Sequence, residues 1–291
     1  MDCLCFQINA MFAEQSVYGL LASFHISTRK LYAIFQSQSL KVNEQAALPT
    51  DIVHAGDSLT IDLSPWESLD FIPEAIEVKC LFEDDWVYVL DKLQGIIIHP
   101  ETKSGLGTLA NQAAYFLQSR GLDRNVRYLH RLDKDTTGAI LFAKNFLAHS
   151  FIDHFWNHED VAREYLALVE GRLNGPGGRI DLPIGKDRHH NNRYVVTPGG
   201  KKASTSYEVV ATYSDYTLVK VILETGRTHQ IRVHMAKIGH PLLGDQTYGA
   251  SRRECSRVML HSAKISFLHP LTRETMTVEA PLPEDFRRLI G

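Results

Sequence analysis

The chain has few cysteines and no disulfide framework. Cys3, Cys5, Cys80 and Cys255 are the only four in 291 residues, and none forms a CxxC pair. Cys3 and Cys5 stand too close in sequence to bridge easily, so all four read as reduced thiols of a cytoplasmic protein. No basic stretch followed by a long apolar run opens the chain, and no signal peptide is expected. No run approaches the roughly 18 apolar residues of a membrane span. Neither GxGxxG nor a P-loop occurs, which removes the two commonest sequence signs of a bound nucleotide cofactor. Metal-ligand spacing is missing too. His229 and His234 are five apart, which does not place two ligands on one helix face, and HPLLGD and HHNN offer no better set. The fourteen histidines therefore read as satisfied polar groups, and no metal is expected. Charge of one sign is also lacking. The net charge of −3 and pI of about 6.5 argue, taken alone, mildly against a polyanionic partner.

What is present suits a folded protein: 44% hydrophobic and 22% charged residues, enough for an ordinary core. The length allows one large domain, or a main domain with a small accessory one. The average charge hides a segregation. Between Glu44 and Asp91 the charge is almost all acidic, with Lys79 the single basic residue. Basic residues gather later, as Arg120, Arg124, Arg127, Arg131, Lys134 and Lys144, and again as Lys186, Arg188, Arg193, Lys201 and Lys202. A local basic face on a near-neutral protein is compatible with RNA binding; on charge alone, ordinary solvated faces fit as well.

Residues Val17 to Phe24 and Ser27 to Gln38 are predicted as two short helices, the second capped by Ser27-Thr28. LKVNEQ predicts a short strand and turn, and DSLTIDL a strand through its alternating Leu59, Ile61 and Leu63. Residues 1–63 thus form a compact unit, too small for much of a core and suited to an accessory domain. SPWESLDFIPEAIE, residues 64–77, reads as an acidic linker. From Val78 onward, DWVYVLDK, GIIIH, GAILFAK, REYLALVEG, KASTSYEVVATY, YTLVKVILETG, RVMLHSAKISFLH and ETMTVEA are predicted strands. Leu106 to Arg120, FLAHSFIDHFW, THQIRVHMAKIG (ended by Gly239) and PEDFRRLI are predicted helices. Several strands follow one another without an intervening helix. The expected fold is α+β, with a mixed, largely antiparallel sheet over residues 78–291.

One stretch carries more charge than a strand entrance needs: YLHRLDKDTTGAILFAKN, residues 128–145. Read as DxDxT, it would place a phosphorylated aspartate at Asp133. That chemistry needs a buried parallel strand before the aspartate, and Arg-Tyr-Leu-His-Arg-Leu makes a poor one. Read structurally, Asp133 with Thr136 and Thr137 caps the turn before Gly138. The residues alone leave a catalytic and a structural Asp133 both open.

HRLDKDTTGAILFAKN resembles the HRLDxxTSG motif of the RluA/RluD-type RNA pseudouridine synthases. VYVLDKLQGIIIHP is similar to that family's early strand, lysine and His-Pro motif, and REYLALVEG to its [KR]xYxAxVxG strand. LETGRTHQIRVHMAKIGHPLLGDQTYG is similar to its most distinctive block, and RVMLHSAKISFLHPLT and PLPEDF to its C-terminal end. The resemblance runs in order from about Val78 to Gly291. Thr137 stands for the usual Ser, Leu93 for the usual Pro after Lys92, and Ser262 for the usual Ala after His261. LLASFHISTRKLYAIFQSQSLKVNEQ resembles, more weakly, the small αL-type RNA-binding domain named for a small-subunit ribosomal protein. There the usual Gly before the Val-Val-Asn stretch is not visible, Glu44 stands where Gly is common, and basic residues are few.

The resemblance implies an isomerase that converts uridine to pseudouridine within RNA, with no cofactor and no metal. It implies that Asp133 acts as an ionised carboxylate at the sugar, as nucleophile or as base, with Arg227 as the guanidinium that holds it. Tyr165 would stack on a flipped-out uracil, Ile231 would line the pocket, and Arg131 would fill the space the base leaves. Lys92 and Arg232 are expected as supports or phosphate contacts, and Asp135 as structural or solvent-facing. The expected partner is RNA, ribosomal RNA first and transfer RNA second, bound by a monomer with no membrane association. The acidic stretch would face away from it. The other class of function considered is an RNA-binding or ribosome-assembly factor that keeps the fold while its chemistry is secondary.

Overall fold

The computed structural model describes residues 2–102, 104–156, 161–251 and 255–291. A ten-stranded sheet organises the larger part of the chain. Its strands run in the spatial order Gly177–Asp181, Ser204–Thr212, Tyr216–Leu223, Ala162–Glu170, Leu260–Leu268, Thr137–Ala143, Val87–Lys92 and Cys80–Glu83. Thr275–Glu279 pairs with Leu260–Leu268, and Arg127–Tyr128 pairs with Thr137–Ala143. The pairings are antiparallel except that of Thr137–Ala143 with Leu260–Leu268, which is parallel and short. The fold is α+β with a largely antiparallel sheet, as the run of strands without helices predicts.

Both faces of the central strands are buried, and side chains divide between them with period two. Val87, Val89, Ala139 and Leu141 face one core, and Tyr88, Leu90, Ile140 and Phe142 the other. Helix Leu109–Gln118 covers the second face. Helix Phe146–Phe155 and the N-terminal 63 residues cover the first. The N-terminal unit has helices Val17–Ala22 and Thr28–Gln36, the second capped by the Ser27 hydroxyl, which accepts the Lys30 N–H. Strand Cys3–Gln7, five residues long and not predicted from the sequence, pairs with Ser58–Asp62 and turns Leu4 and Phe6 inward. Those side chains do not close a core of their own. Phe24 stacks on Trp86 at 5.4 Å, Phe6 meets the same indole edge-on at 5.1 Å, and the Arg273 guanidinium lies 3.6 Å over Phe151.

Two expectations need correction. GIIIH is not a strand. Gly95 takes a positive φ, and the carbonyls of Ile97 and Ile98 accept the N–H groups of Leu109 and Ala110, so they serve a helix start instead of a sheet ladder. The first basic cluster is also not a free face. Arg120 and Lys144 pair with Glu83 at 2.6 and 2.8 Å, Arg127 with Glu67 at 2.5 Å, and Arg124 with Asp2 at 2.6 Å. Acidic residues remote in sequence thus neutralise four of these cations. The segment 64–77 is pinned along its length: Asp70 accepts the Val126 N–H and Glu74 the Gly107 N–H. Burial pushes the Glu67 carboxyl up in spite of Arg127.

Candidate active site

One cross-strand row brings the distant motifs together. Tyr165 lies opposite Ser262, Ser262 opposite Gly138, and Gly138 opposite Lys92. The row closes only because residue 138 is glycine. Its φ is +107°, and an added Cβ would lie 2.2 Å from the Ser262 carbonyl oxygen. A register shift between Glu164 and Tyr165 bends the strand beside the site, as bulges at active sites do.

The turn holding Asp133 enters the sheet just before this row. Thr136 N–H donates to the Asp133 carbonyl at 3.1 Å. The fully buried Lys92 ammonium donates to the carbonyls of Leu93 and Lys134, both at 2.8 Å, and so clamps the turn from below. Burial pulls Lys92 down to about 7, against the pull of Asp135 and Asp133. Of the two readings for Lys92, support and phosphate contact, this placement matches support. Thr137 keeps the hydroxyl of the usual Ser and uses it: its Oγ1 lies 2.9 Å from His261 Nδ1, and His261 Nε2 reaches the Ala280 carbonyl at 3.4 Å. His130 accepts the Leu141 N–H through Nε2 at 3.2 Å.

These two histidines make the fold acid-sensitive. Burial lowers His130 to about 3 and His261 to about 4. The folded state therefore holds fewer protons than the unfolded chain. The stability they contribute is fully present above the ordinary histidine value of about 6.5 and is lost as pH falls toward the folded values. At pH 5 each costs about 2 kcal/mol relative to neutral pH. Calorimetry at pH 7.5 and pH 5 should show the melting temperature falling by roughly 10 °C; an unchanged value would contradict this assignment.

Asp133 meets Arg232, 99 residues away in sequence, with Nη1 3.2 Å from Oδ2. Arg232 is aimed by Asp245, which takes its Nε and Nη2 at 2.7 and 2.9 Å from a fully buried carboxylate. The paired carboxylates outweigh burial and hold the guanidinium above its ordinary value. His229 Nε2 stands 3.8 Å from the same Oδ2. Among the described residues Arg232 and His229 are the side chains whose nitrogens come within 4 Å of the Asp133 carboxylate, and of the two Arg232 carries the charge. Arg227, expected in that role, lines the same cavity but spends its Nε on the Lys202 carbonyl at 2.9 Å. The guanidinium that meets Asp133 comes from the arginine five residues on, on the helix Gln230–Lys237. Sequence reasoning named Arg232 only as a support or phosphate contact, weighed His229 only as a metal ligand and passed over Asp245 and Tyr248, although all lie in the one block LETGRTHQIRVHMAKIGHPLLGDQTYG. Their buried, mutually paired positions have no local periodic signal.

The cavity in front of Asp133 measures about 450 Å³ and is lined by Tyr165, Ile231, Leu132, Leu223 and Leu260 on its apolar side. Arg131, Arg227 and Arg163 border it. Among the described residues Asp133 is the one carboxylate that lines it. Tyr165 is 4% exposed. Burial raises its phenol above the ordinary value, Arg163 and the Ser262 hydroxyl pull it down, and the Asp133 charge adds to the rise. Arg131 is exposed, and Lys134 beside Asp133 is too. Among the described residues no cluster of histidine, cysteine and carboxylate suits a metal ion, and no helix is long and apolar enough to cross a membrane.

An open cavity with room for a base, one carboxylate held by an aimed arginine, and an aromatic side chain in its wall describe an enzyme site with cationic borders. Residues 86–237 match the family model described as RNA pseudouridylate synthase. An uncharacterized RNA pseudouridine synthase of Bacillus subtilis, YhcT, is 44% identical over 87% of this chain and 84% of its own length. Ribosomal large subunit pseudouridine synthase D of Pseudomonas aeruginosa is 35% identical over 91% of this chain and 87% of its own. The structure of human RNA pseudouridylate synthase domain containing 1 matches with a TM-score of 0.60 and 25% identity, covering 71% of this chain and 84% of that one. The chain belongs to the RNA pseudouridine synthases, isomerases acting on RNA, and within them to the RluA/RluD type.

Proposed function

We propose that this synthase isomerises specific uridines of structured ribosomal RNA, with Asp133 as its essential carboxylate and the target base flipped into the cavity. The observation that carries the reading is that, among the described residues, Asp133 is the one carboxylate lining the cavity. In the reaction the bond between the sugar's anomeric carbon and nitrogen 1 breaks, the uracil turns, and carbon 5 bonds to the same sugar carbon. Carbon 5 gives up a proton and nitrogen 1 gains one, so nothing is oxidised or reduced. Asp133 acts at the sugar, as nucleophile at the anomeric carbon or as base at its neighbour. Arg232 orients it. Tyr165 stacks on the uracil while it turns, Ile231 walls the pocket, and Arg131 at the rim occupies the gap in the stack. Arg227, near the mouth, and the cations Lys134, Lys186, Arg188, Lys201 and Lys202 contact phosphates. The cavity volume lies within the roughly 300–1,000 Å³ range of small-ligand pockets.

Residues 78–291 carry the reaction in this reading. Residues 1–63, joined by 64–77, are an accessory unit packed on the sheet face opposite the cavity. Ribosomal RNA is put first because a relative matched over most of its length carries a large-subunit name. Pseudouridine should accumulate in unmodified large-subunit ribosomal RNA incubated with the protein, and to a far smaller extent in unmodified transfer RNA. Product in transfer RNA alone would overturn the choice of substrate, and product in neither RNA would overturn the catalytic reading.

A further inference from the structure

One hydrogen-bond donor and one nearby ring nitrogen converge on a single oxygen of Asp133. Arg232 Nη1 is 3.2 Å from Oδ2, His229 Nε2 is 3.8 Å from Oδ2, and no described residue bonds Oδ1. His229 holds left-handed backbone, φ 56°, where it precedes the helix Gln230–Lys237. That conformation is uncommon for a residue other than glycine and clusters at functional sites. Its other nitrogen, Nδ1, lies 2.9 Å from the Tyr248 hydroxyl. That hydroxyl already accepts the Tyr194 N–H at 3.0 Å, which leaves its own proton for Nδ1. An imidazole that accepts at Nδ1 carries its proton on Nε2. The opposite tautomer would turn the Nε2 lone pair toward the carboxylate and leave the Tyr248 proton without a described acceptor.

We propose that His229 is a positioning residue for Asp133: Tyr194 and Tyr248 hold its neutral ring as the Nε2–H tautomer, and that N–H, 3.8 Å from Oδ2 in the free protein, closes to a hydrogen bond when RNA binds and with Arg232 fixes Oδ2 so that Oδ1 faces the sugar. This rests on Asp133 acting at the sugar. The ring is neutral near pH 7 because burial lowers its pKa; Asp133 and Asp245 pull it up and Arg232 down. The other groups facing it are the rings of Tyr194 and Tyr248, both edge-on at 5.7 Å. The Arg193 guanidinium lies on the far side, 5.8 Å from the Tyr248 ring. Tyr194 belongs to the ribbon Ile184–Lys186 with Tyr194–Val196, so the lock ties that ribbon to the carboxylate.

Two substitutions with the same backbone strain separate positioning from mere structure. His229→Leu removes the donor, and His229→Gln keeps an uncharged N–H. For pseudouridine formation, His229→Leu should lower kcat about 30-fold with KM for RNA within threefold, and His229→Gln should recover most of that loss. Tyr248→Phe should lower kcat severalfold and raise the acid limb of the kcat–pH profile, since the ring then protonates more easily. Nitrogen-15 spectra of histidine-labelled protein, with His229 assigned by its loss in His229→Gln, should show Nδ1 as acceptor and Nε2 protonated. In Tyr248→Phe they should show a tautomer mixture. A protonated Nδ1 in the wild type overturns the proposal whether or not the protein is active. Wild-type kcat in His229→Leu, or equal loss in Leu and Gln, overturns it with catalysis by Asp133 intact. An inactive wild type speaks against the catalytic reading instead, and the spectra still decide the tautomer.

Discussion

Asp133→Asn is expected to abolish pseudouridine formation, by about 10³-fold or more, while RNA affinity stays within a few-fold of wild type. The amide fills the same space and can still accept from Arg232, so the turn held by Lys92 and the Thr136 N–H should persist. What is lost is the charge. An amide oxygen is a poor nucleophile and a poor base, and among the described residues no second carboxylate lines the cavity to replace it. The binding terms come from cations elsewhere, Arg131 and Lys134 beside the turn and Lys186, Arg188, Lys201 and Lys202 beyond it, none with a described ion-pair partner. Pseudouridine counted after single-turnover incubation, beside a filter-binding titration at fixed salt, checks both halves. Wild-type product from Asp133→Asn would remove Asp133 from the chemistry. Equal loss of binding would instead favour an RNA-binding factor, in which the aspartate belongs to the contact surface.

The sheet was legible because its strands are long and locally patterned. YTLVKVILETG is rich in β-branched and aromatic residues (Tyr216, Thr217, Val219, Val221, Ile222), REYLALVEG turns Tyr165, Ala167 and Val169 to one face, and the two lie side by side in the structure. GIIIH carries the same local signal and is not a strand, because its carbonyls are claimed by a helix start. Competition for backbone partners is a tertiary fact that a five-residue window does not hold. The charge pattern misled for a related reason. Arg124 and Arg127 look like an exposed basic run until Asp2 and Glu67 fold back on them, 122 and 60 residues away. Within the site, motif resemblance picked out Asp133, Tyr165 and Ile231, and the fold places all three around one cavity. It put the arginine partner five residues too early. ETGRTHQIR holds two arginines, and only the helix that starts at Gln230 turns one of them inward. The first is left near the mouth, bonded to a backbone carbonyl.

That inward arginine is where stability and activity should come apart. Arg232→Met should lower kcat by about 10²-fold or more and cost roughly 3–5 kcal/mol of stability, the usual effect of breaking a buried pair. The two losses have different sources. The stability loss comes mainly from Asp245, whose carboxylate is left buried without its bidentate partner. The activity loss comes from Asp133, which loses the guanidinium that orients it. Neutralising the orphaned charge should therefore repair one and not the other. The double variant Arg232→Met with Asp245→Asn should regain much of the stability, because a buried pair replaced on both sides is often near neutral. Its kcat should stay as low as that of Arg232→Met alone. Arg232→Lys should fall between, since one ammonium cannot reproduce a guanidinium that forks onto Asp245 and still reaches Asp133 with its third nitrogen. Chemical denaturation and single-turnover rates on the three variants settle the point. If activity returned with stability in the double variant, Arg232 would be a scaffold residue only, and the hold on Asp133 would have to come from His229.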